Sequence, residues 1–267
     1  MLTGSRTPLR VVLLTTGRAP GLAHLLEQDP NRGRLYQLAA VVATDPASDA
    51  LVRAEAGRIP GVLHDLRAFC AGRGGRVGDL ALRREFDTET VRLLEPYRPD
   101  LVVLCAYLHV LTAPMLDRFP DRIVNIHDAD LAIIGDDGRP RYRGLRSTRD
   151  AVLAGEPETR STVHLVTAEV DVGPALLRSE PFPVHPMVED ARRWGATDML
   201  KAYAFAQREW MMRAAWGPLL SRTIAWYARD QVRVFGGLAV VGGIVRPDGI
   251  NAAPDGRPRP ARRAAGH

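Results

Sequence analysis

The chain has 267 residues, 46% hydrophobic and 25% charged, values that fit a soluble globular protein able to bury a substantial core and that exclude disorder for its bulk. The formal net charge is +5, but its positive charge is nearly all arginine, Lys201 being the only lysine, spread along the chain and mixed with acids, with part of the excess in the tail "GRPRPARRAAGH", so it does not mark a nucleic-acid-binding face. No apolar stretch approaches the roughly 20 residues that span a bilayer, and "MLTGSRTPLR" lacks the apolar core of a signal peptide, so the expected location is the cytoplasm.

In chain order, "LRVVLLTTG" (9–17) is a continuous, β-branched run, the pattern of a parallel strand covered on both faces, ending in the turn "TTGRAPG". A helix through Leu22, Leu25 and Leu26 is expected next, then a second buried strand, "YQLAAVVATD" (36–45), and a helix "LVRAEAG" closed by Gly57. "IPGVLHDL" is a weaker third strand. It precedes a helix around Leu66 to Cys70, the turn "AGRGGR", and a helix carrying Phe86, Val91, Leu94 and Tyr97. "PDLVVLCAYLHVL" (99–111) is the strongest strand, and "RIVNIHDADL" (122–131) follows after a short helix. This alternation predicts an α/β fold with an open, mostly parallel twisted sheet over residues 9 to about 130. Cys70 and Cys105 then fall in a helix and a buried strand, as small core side chains rather than a disulfide framework.

Beyond it, "GDDGRPRYRG" (135–144) is a long polar loop, "LRSTRDAVLAGE" a helix, and "STVHLVTAEVDVGPALLRSEPFPV" (161–184) two strands joined by an acidic turn. All four tryptophans lie between Trp194 and Trp226, in a helical region where Leu219, Leu220, Ile224 and Tyr227 trace a core-facing stripe. "VRVFGG" and "LAVVGGIV" predict a terminal hairpin. The expected organisation is an N-terminal arm (1–8), an α/β domain (9–184), a helical extension with the terminal hairpin packed on it (185–250), and a disordered tail (251–267).

Ligands of open α/β sheets gather at the carboxyl ends of the strands. The 122–127 strand ends in Asn125 and His127, and residues i and i+2 of a strand share a face, so an amide N–H and an imidazole N–H project together. Two donors aimed at one point suit a developing oxyanion. The plainer reading is that Asn125 bridges to neighbouring backbone, since an unpaired buried amide costs about 1 to 3 kcal/mol, and that His127 is a half-exposed strand end. "TAEVDVGP" places Asp171 before Gly173 and Pro174, where an aspartate is commonly a turn former and a glycine lets backbone approach a ligand closely.

"VVLCAYLHVL", "IVNIHDADL" and "YRGLRSTRDAVLAGEPETRSTVHLVTAEVDVGPALL" together resemble the folate-dependent formyltransferases, most nearly the phosphoribosylglycinamide formyltransferases, over roughly residues 10 to 180. The resemblance implies a Rossmann-like formyltransferase fold with a C-terminal helical and hairpin extension. It implies an N-formyltransferase that moves a formyl group from 10-formyltetrahydrofolate to an amine without metal. Asn125, His127 and Asp171 would be its catalytic triad: Asn125 and a protonated His127 stabilise the oxyanion, and Asp171 orients the ring and raises its pKa. The pterin would lie against Leu108, His109, Val110 and Leu111 and the loop Val166, Thr167, Ala168 and Glu169. After strand one the family's Gly-Ser-Asn phosphate turn is replaced here by Gly17, Arg18, Ala19, Pro20 and Gly21, and the loop after His127 is longer and acidic. The acceptor is therefore expected to be a small amine other than the purine ribotide. Gly17 and Arg18, Arg83 or Arg84, and Tyr142 are candidates for holding it. The plain reading of each arginine is a solvated surface charge. Asp136, Asp137, Arg141 and Tyr142 lie in the inserted loop, expected to cover the acceptor.

The expected partners are folate and the amine, with neither nucleic acid nor membrane; the oligomeric state is left open, a homodimer included. Other readings use the same residues. Water in place of the amine makes a formyltetrahydrofolate deformylase. His127 with Asp128, Asp130 and Asp136 makes a metal-dependent hydrolase. A non-catalytic regulator would bind a folate or a phosphorylated ligand, although it has no need of an oxyanion pair beside a proton acceptor. "TTGRAPG" lacks the GxGxxG spacing of a dinucleotide site, although Asp45 ends strand two where a ribose-binding acid would sit.

Overall fold

The computed structural model describes residues 7–245 and 247–252. Residues 1–6 of the expected arm and 253–267 of the expected tail lie outside the described residues. The apolar runs become β1 (Leu9–Thr15), α1 (Leu22–Glu27), β2 (Tyr36–Ala43), α2 (Asp49–Ala56) and β3 (Gly61–Leu63). α3 (Leu66–Ala71), α4 (Leu80–Leu94), β4 (Leu101–Leu104), α5 (Ala113–Arg118) and β5 (Ile123–His127) follow. Then come α6 (Ser147–Ala154), β6 (Glu158–Thr159), β7 (Thr162–Leu165), β8 (Ala175–Arg178), β9 (Phe182–Pro183), α7 (Met187–Arg193) and α8 (Thr197–Met211). A π-helical segment (Met212–Trp216) joins α8 to α9 (Gly217–Ala228), and β10 (Val232–Phe235), β11 (Leu238–Val241), β12 (Ile244–Val245) and β13 (Ile250–Asn251) close the chain.

The main sheet runs β13-β8-β7-β5-β4-β1-β2-β3. β3, β2, β1, β4 and β5 are mutually parallel, β7 is antiparallel to both β5 and β8, and β13 is parallel to β8. Alternation within β1 shows why its run is continuously apolar. Val11 and Leu13 pack with Leu22 and Leu25 of α1 and Leu220 and Ile224 of α9, while Val12 and Leu14 face Leu94 of α4 and Met115 of α5. Each of these side chains is at most 1% exposed, and each such burial contributes about 1.5 to 3 kcal/mol relative to exposure.

Four expectations need correction. The 99–111 strand stops at Leu104, because the chain turns out of the sheet at Ala106 (φ +55°), and Ala106 to Leu111 line a cavity instead. The terminal hairpin is a three-stranded meander, β10-β11-β12. The tail expected from 251 begins as strand: Ile250 pairs with Leu177 and Asn251 with Arg178, because Ile250 has an apolar site to fill at the sheet edge. Of the tryptophans, Trp216 is buried, whereas Trp194 and Trp210 are exposed.

Gly173 does not serve a ligand either. A Cβ there would stand 1.9 Å from the carbonyl oxygen of Leu165, so the glycine permits the β7–β8 connection to close on itself. Gly173→Ala is expected to destabilise the protein by about 1 to 3 kcal/mol, the range of core overpacking, read as a lowered urea midpoint.

Candidate active site

β5 carries Asn125 and His127 to the carboxyl edge of the parallel strands. The antiparallel register of β5 with β7 sets His164 directly opposite Asn125 and Thr162 opposite His127. Thr162 holds the chain after His127, its hydroxyl donating to the Ala129 carbonyl at 2.6 Å and accepting from the Leu131 N–H. Asp171, in the β7–β8 connection, adopts the left-handed backbone region (φ +54°), which aspartate tolerates better than most residues. Its Oδ2 lies 3.5 Å from His127 Nδ1 and its Oδ1 3.5 Å from His164 Nε2. The Gly144 N–H donates to Oδ2 at 2.8 Å, tying the inserted loop to the carboxylate.

His164 is the member that sequence reasoning missed, although it stands within the strand "STVHLV". His164 Nδ1–H donates to the Leu165 carbonyl at 2.8 Å, so the neutral ring presents Nε2 as the acceptor for Asn125 Nδ2 at 3.1 Å. One amide hydrogen of Asn125 is thereby committed. The other remains for a ligand.

The ring of His127 is enclosed. Its Nε2 is 3.2 Å from the Tyr142 carbonyl and its Nδ1 faces Asp171, so both nitrogens look at oxygen acceptors. Burial nevertheless lowers the His127 pKa below its ordinary value, outweighing the upward pull of Asp171 and Asp128. This corrects the expectation of a raised pKa: desolvation of the imidazolium exceeds its attraction to one carboxylate. For Asp171 the balance is opposite. Burial alone would raise its carboxyl, but the hydrogen bond and charge that His164 offers through Nε2 when its ring is protonated, the charge of a protonated His127, and the Gly144 N–H hold it well below the usual carboxylate range.

Two further imidazoles are kept neutral. Burial lowers His64 and His109 from 6.5 to about 4, with help from Arg83 in both cases. Between these values the unfolded chain binds protons that the native protein refuses. Stability is therefore expected to fall as pH drops from 6.5 toward 4, a decline that thermal unfolding across that range measures.

A cavity of about 430 Å³ opens beside these groups. Leu108, His109, Val110, Leu111, Val166, Thr167, Ala168 and Glu169 all line it, together with Asn125, His127, His164 and Asp171. Leu108, Val110, Leu145 and Val170 expose 42 to 73% of their surface around it, a rim that offers apolar area to a ring system.

The residues proposed to hold an acceptor do not gather there. Arg83 is not a surface charge: it is 3% exposed, donates to the Val110 carbonyl at 2.7 Å, and braces the Tyr107–Thr112 loop from behind with Asp87, which accepts from Thr112. Arg84 is exposed on α4, as a solvated charge. Tyr142 is buried with its hydroxyl on Glu156 at 2.6 Å, because the hydroxyl of an enclosed ring needs a partner, and only its carbonyl reaches the site. Arg18 forms a two-pronged ion pair with Glu209 at 2.9 Å, and neither it nor Gly17 lines the cavity. In the inserted loop, Arg139, Arg141 and Arg143 edge a second, open depression that shares Gly144, Glu169 and Val170 with the first. Of the carboxylates that a metal site beside His127 would draw on, Asp128 is taken by Arg208 at 2.7 Å and Asp130 by Arg178 at 2.8 Å and Arg160 at 3.4 Å, while Asp136 is exposed and does not line the cavity.

Open α/β sheets that hold such a cavity at their carboxyl edge are the scaffolds of small-molecule enzymes. The chain belongs to the formyl transferase family, whose profile matches residues 9–215. It is 31% identical over 179 residues to the trifunctional purine biosynthetic protein adenosine-3 of Drosophila melanogaster, which covers 66% of this chain but only 12% of that much longer protein. It is 27% identical over 217 residues to the formyltetrahydrofolate deformylase of Escherichia coli K12, covering 81% of this chain and 67% of the relative. Among solved structures, glycinamide ribonucleotide transformylase 1 of Symbiobacterium toebii superposes with a TM-score of 0.65 at 26% identity, over 88% of this chain and 94% of that one. The mostly parallel open sheet is thus the family's fold. No helix among the described residues is long and apolar enough to cross a membrane.

Proposed function

We propose that this protein is an N-formyltransferase that takes its formyl group from 10-formyltetrahydrofolate and delivers it to the amine of a small metabolite other than the purine ribotide. The observation that carries this reading is the convergence of Asn125, His127 and Asp171 on one cavity with an apolar rim. Transfer forms a bond from the amine nitrogen to the formyl carbon and breaks the bond from that carbon to folate N10. One proton leaves the amine and one arrives on N10. Asn125 donates its free amide hydrogen to the formyl oxygen as negative charge gathers there. His127 receives the amine's proton on the ring nitrogen that carries no hydrogen, the oxygens of Asp171 and Tyr142 steady the imidazolium that forms, and the ring returns the proton to N10. The ring thus serves as a base first: burial disfavours the protonated ring beforehand, and the Asp171 carboxylate steadies the proton once it is taken up. Leu108 to Leu111 and Val166 to Glu169 form the wall for the pterin. The ion pair of Arg18 with Glu209 supports an acceptor other than the ribotide, since the cation after β1 is already matched by a carboxylate.

A test is to incubate the protein with 10-formyltetrahydrofolate and a panel of amino sugars, amino acids and ribotides, and to look by mass spectrometry for a formylated amine. Absence of any product together with absence of folate binding defeats the reading. A second reading, hydrolysis to formate with water in place of the amine, has its support in the long similarity to the Escherichia coli deformylase. Formate release without any acceptor favours it.

A further inference from the structure

Arg208 of α8 and Asp128, the residue after His127, form a pair that the proposed chemistry does not use. Asp128 is 5% exposed and accepts from Arg208 Nε at 2.7 Å. The two side chains line the same cavity as Asn125 and His127, with Ser147 and Trp216 beside them. Ser147 and Thr148, at the start of α6, both donate to the Asp128 carbonyl, so the backbone that carries this carboxylate is held as well. Among the described residues lining the cavity, Arg208 is the only arginine or lysine.

What distinguishes Arg208 is what it leaves free. Arg18 spends both terminal nitrogens on Glu209, Arg178 places Nη1 on Asp130, and Arg143 and Arg139 each place one on Asp137 and Glu169. Arg208 is anchored through Nε alone, and among the described residues Nη1 and Nη2 have no hydrogen-bond partner. Its side chain keeps 33% of its surface exposed. A guanidinium held by Nε on a buried carboxylate loses most of its rotamer freedom beforehand. The end-on pair of N–H groups that remains matches the two oxygens of a carboxylate or phosphate. Asp128 cancels the long-range charge of Arg208, so the attraction for an anion acts at contact, through the fork.

We propose that Arg208 is the specificity-determining contact for the formyl acceptor, and that it receives a carboxylate or phosphate carried by the molecule whose amine is formylated. Asp128 is a positioning residue that acts through Arg208. This rests on the formyl-transfer reading and deepens it: the acceptor is an anionic amine, with its nitrogen at His127 and its oxyanion at Arg208. The two groups reach the cavity from β5 and from α8, an element apart from the loops that form the apolar wall.

Isothermal titration tests this with inorganic phosphate and with acetate as probes. Each is titrated into the wild-type protein, R208K, R208M and the double variant D128N/R208M, with and without saturating 5-formyltetrahydrofolate. The double variant leaves no buried charge unpaired and keeps the test alive if R208M alone does not fold. The expected result is that one of the two anions binds wild-type protein already loaded with 5-formyltetrahydrofolate, and its identity separates phosphate from carboxylate. R208M and the double variant weaken that anion at least tenfold, R208K weakens it less, and the affinity for 5-formyltetrahydrofolate stays within twofold throughout. The proposal is overturned if neither anion binds the wild type, if R208M binds as well as the wild type, or if the anion competes with 5-formyltetrahydrofolate, which assigns the arginine to the donor's glutamate. Failure of the wild type to bind 5-formyltetrahydrofolate is a different result, and it overturns the formyl-transfer reading itself.

Discussion

Replacing Asn125 by alanine is expected to lower the rate of formyl transfer by about 100- to 1000-fold, the usual effect of deleting one donor aimed at a developing oxyanion. On the proposed reading the free amide hydrogen of Asn125 goes to the formyl oxygen, and among the described residues no other side-chain amide lines the cavity. The substitution also leaves His164 Nε2 without its 3.1 Å partner, a stability cost of about 1 to 3 kcal/mol that a melting curve accounts for separately. Donor affinity is expected to change little, because the wall proposed for the pterin, Leu108 to Leu111 and Val166 to Glu169, does not include Asn125. Single-turnover rates at saturating donor are the measurement, and a loss smaller than tenfold rules out the oxyanion role.

Replacing Asp171 by asparagine is expected to do two things at once. It removes the carboxylate that pulls the His127 pKa upward against burial, so the pKa falls further. The acid limb of kcat/KM, which reports the free enzyme's base, therefore moves to lower pH in the variant. The plateau rate falls as well, because a ring without its carboxylate holds the transferred proton poorly. The same substitution reshapes stability. A carboxyl whose native pKa lies below its unfolded one adds stability that is present at neutral pH and fades as pH falls through the native value. The wild type should thus lose stability in acid by more than the variant does. A pH–rate profile that keeps its acid limb in place excludes coupling of Asp171 to His127, whatever the rate.

Arg83 shows where reading along the chain stops being sufficient. Its neighbours in sequence are Arg84 and Glu85, and nothing local distinguishes a helix-surface arginine from one that is 3% exposed beneath a loop 27 residues further on. His109 is similar: it stands in an apolar run that reads as strand, yet the turn at Ala106 takes it out of the sheet into the wall of a cavity. Gly173 was legible as a necessary glycine, but what it admits is the Leu165 carbonyl rather than a ligand. The deciding neighbour is remote in sequence for Arg83, and for His109 and Gly173 it is a nearby turn whose path is set by packing rather than by local composition.

The sequence by itself determined the alternation of buried strands and helices, because a parallel strand covered on both faces needs an unbroken apolar run. It determined also that Asn125 and His127 share a face, because side chains on a strand repeat every two residues. Tertiary structure alone decided the rest. The antiparallel register of β5 on β7 placed His164 opposite Asn125, and the packing of α8 brought Arg208 to Asp128 across 80 residues. Burial then turned the pKa of His127 downward where its charge partner alone predicted a rise. Backbone periodicity is a property of neighbours along the chain, whereas register, desolvation and helix docking depend on groups that meet only when the core closes.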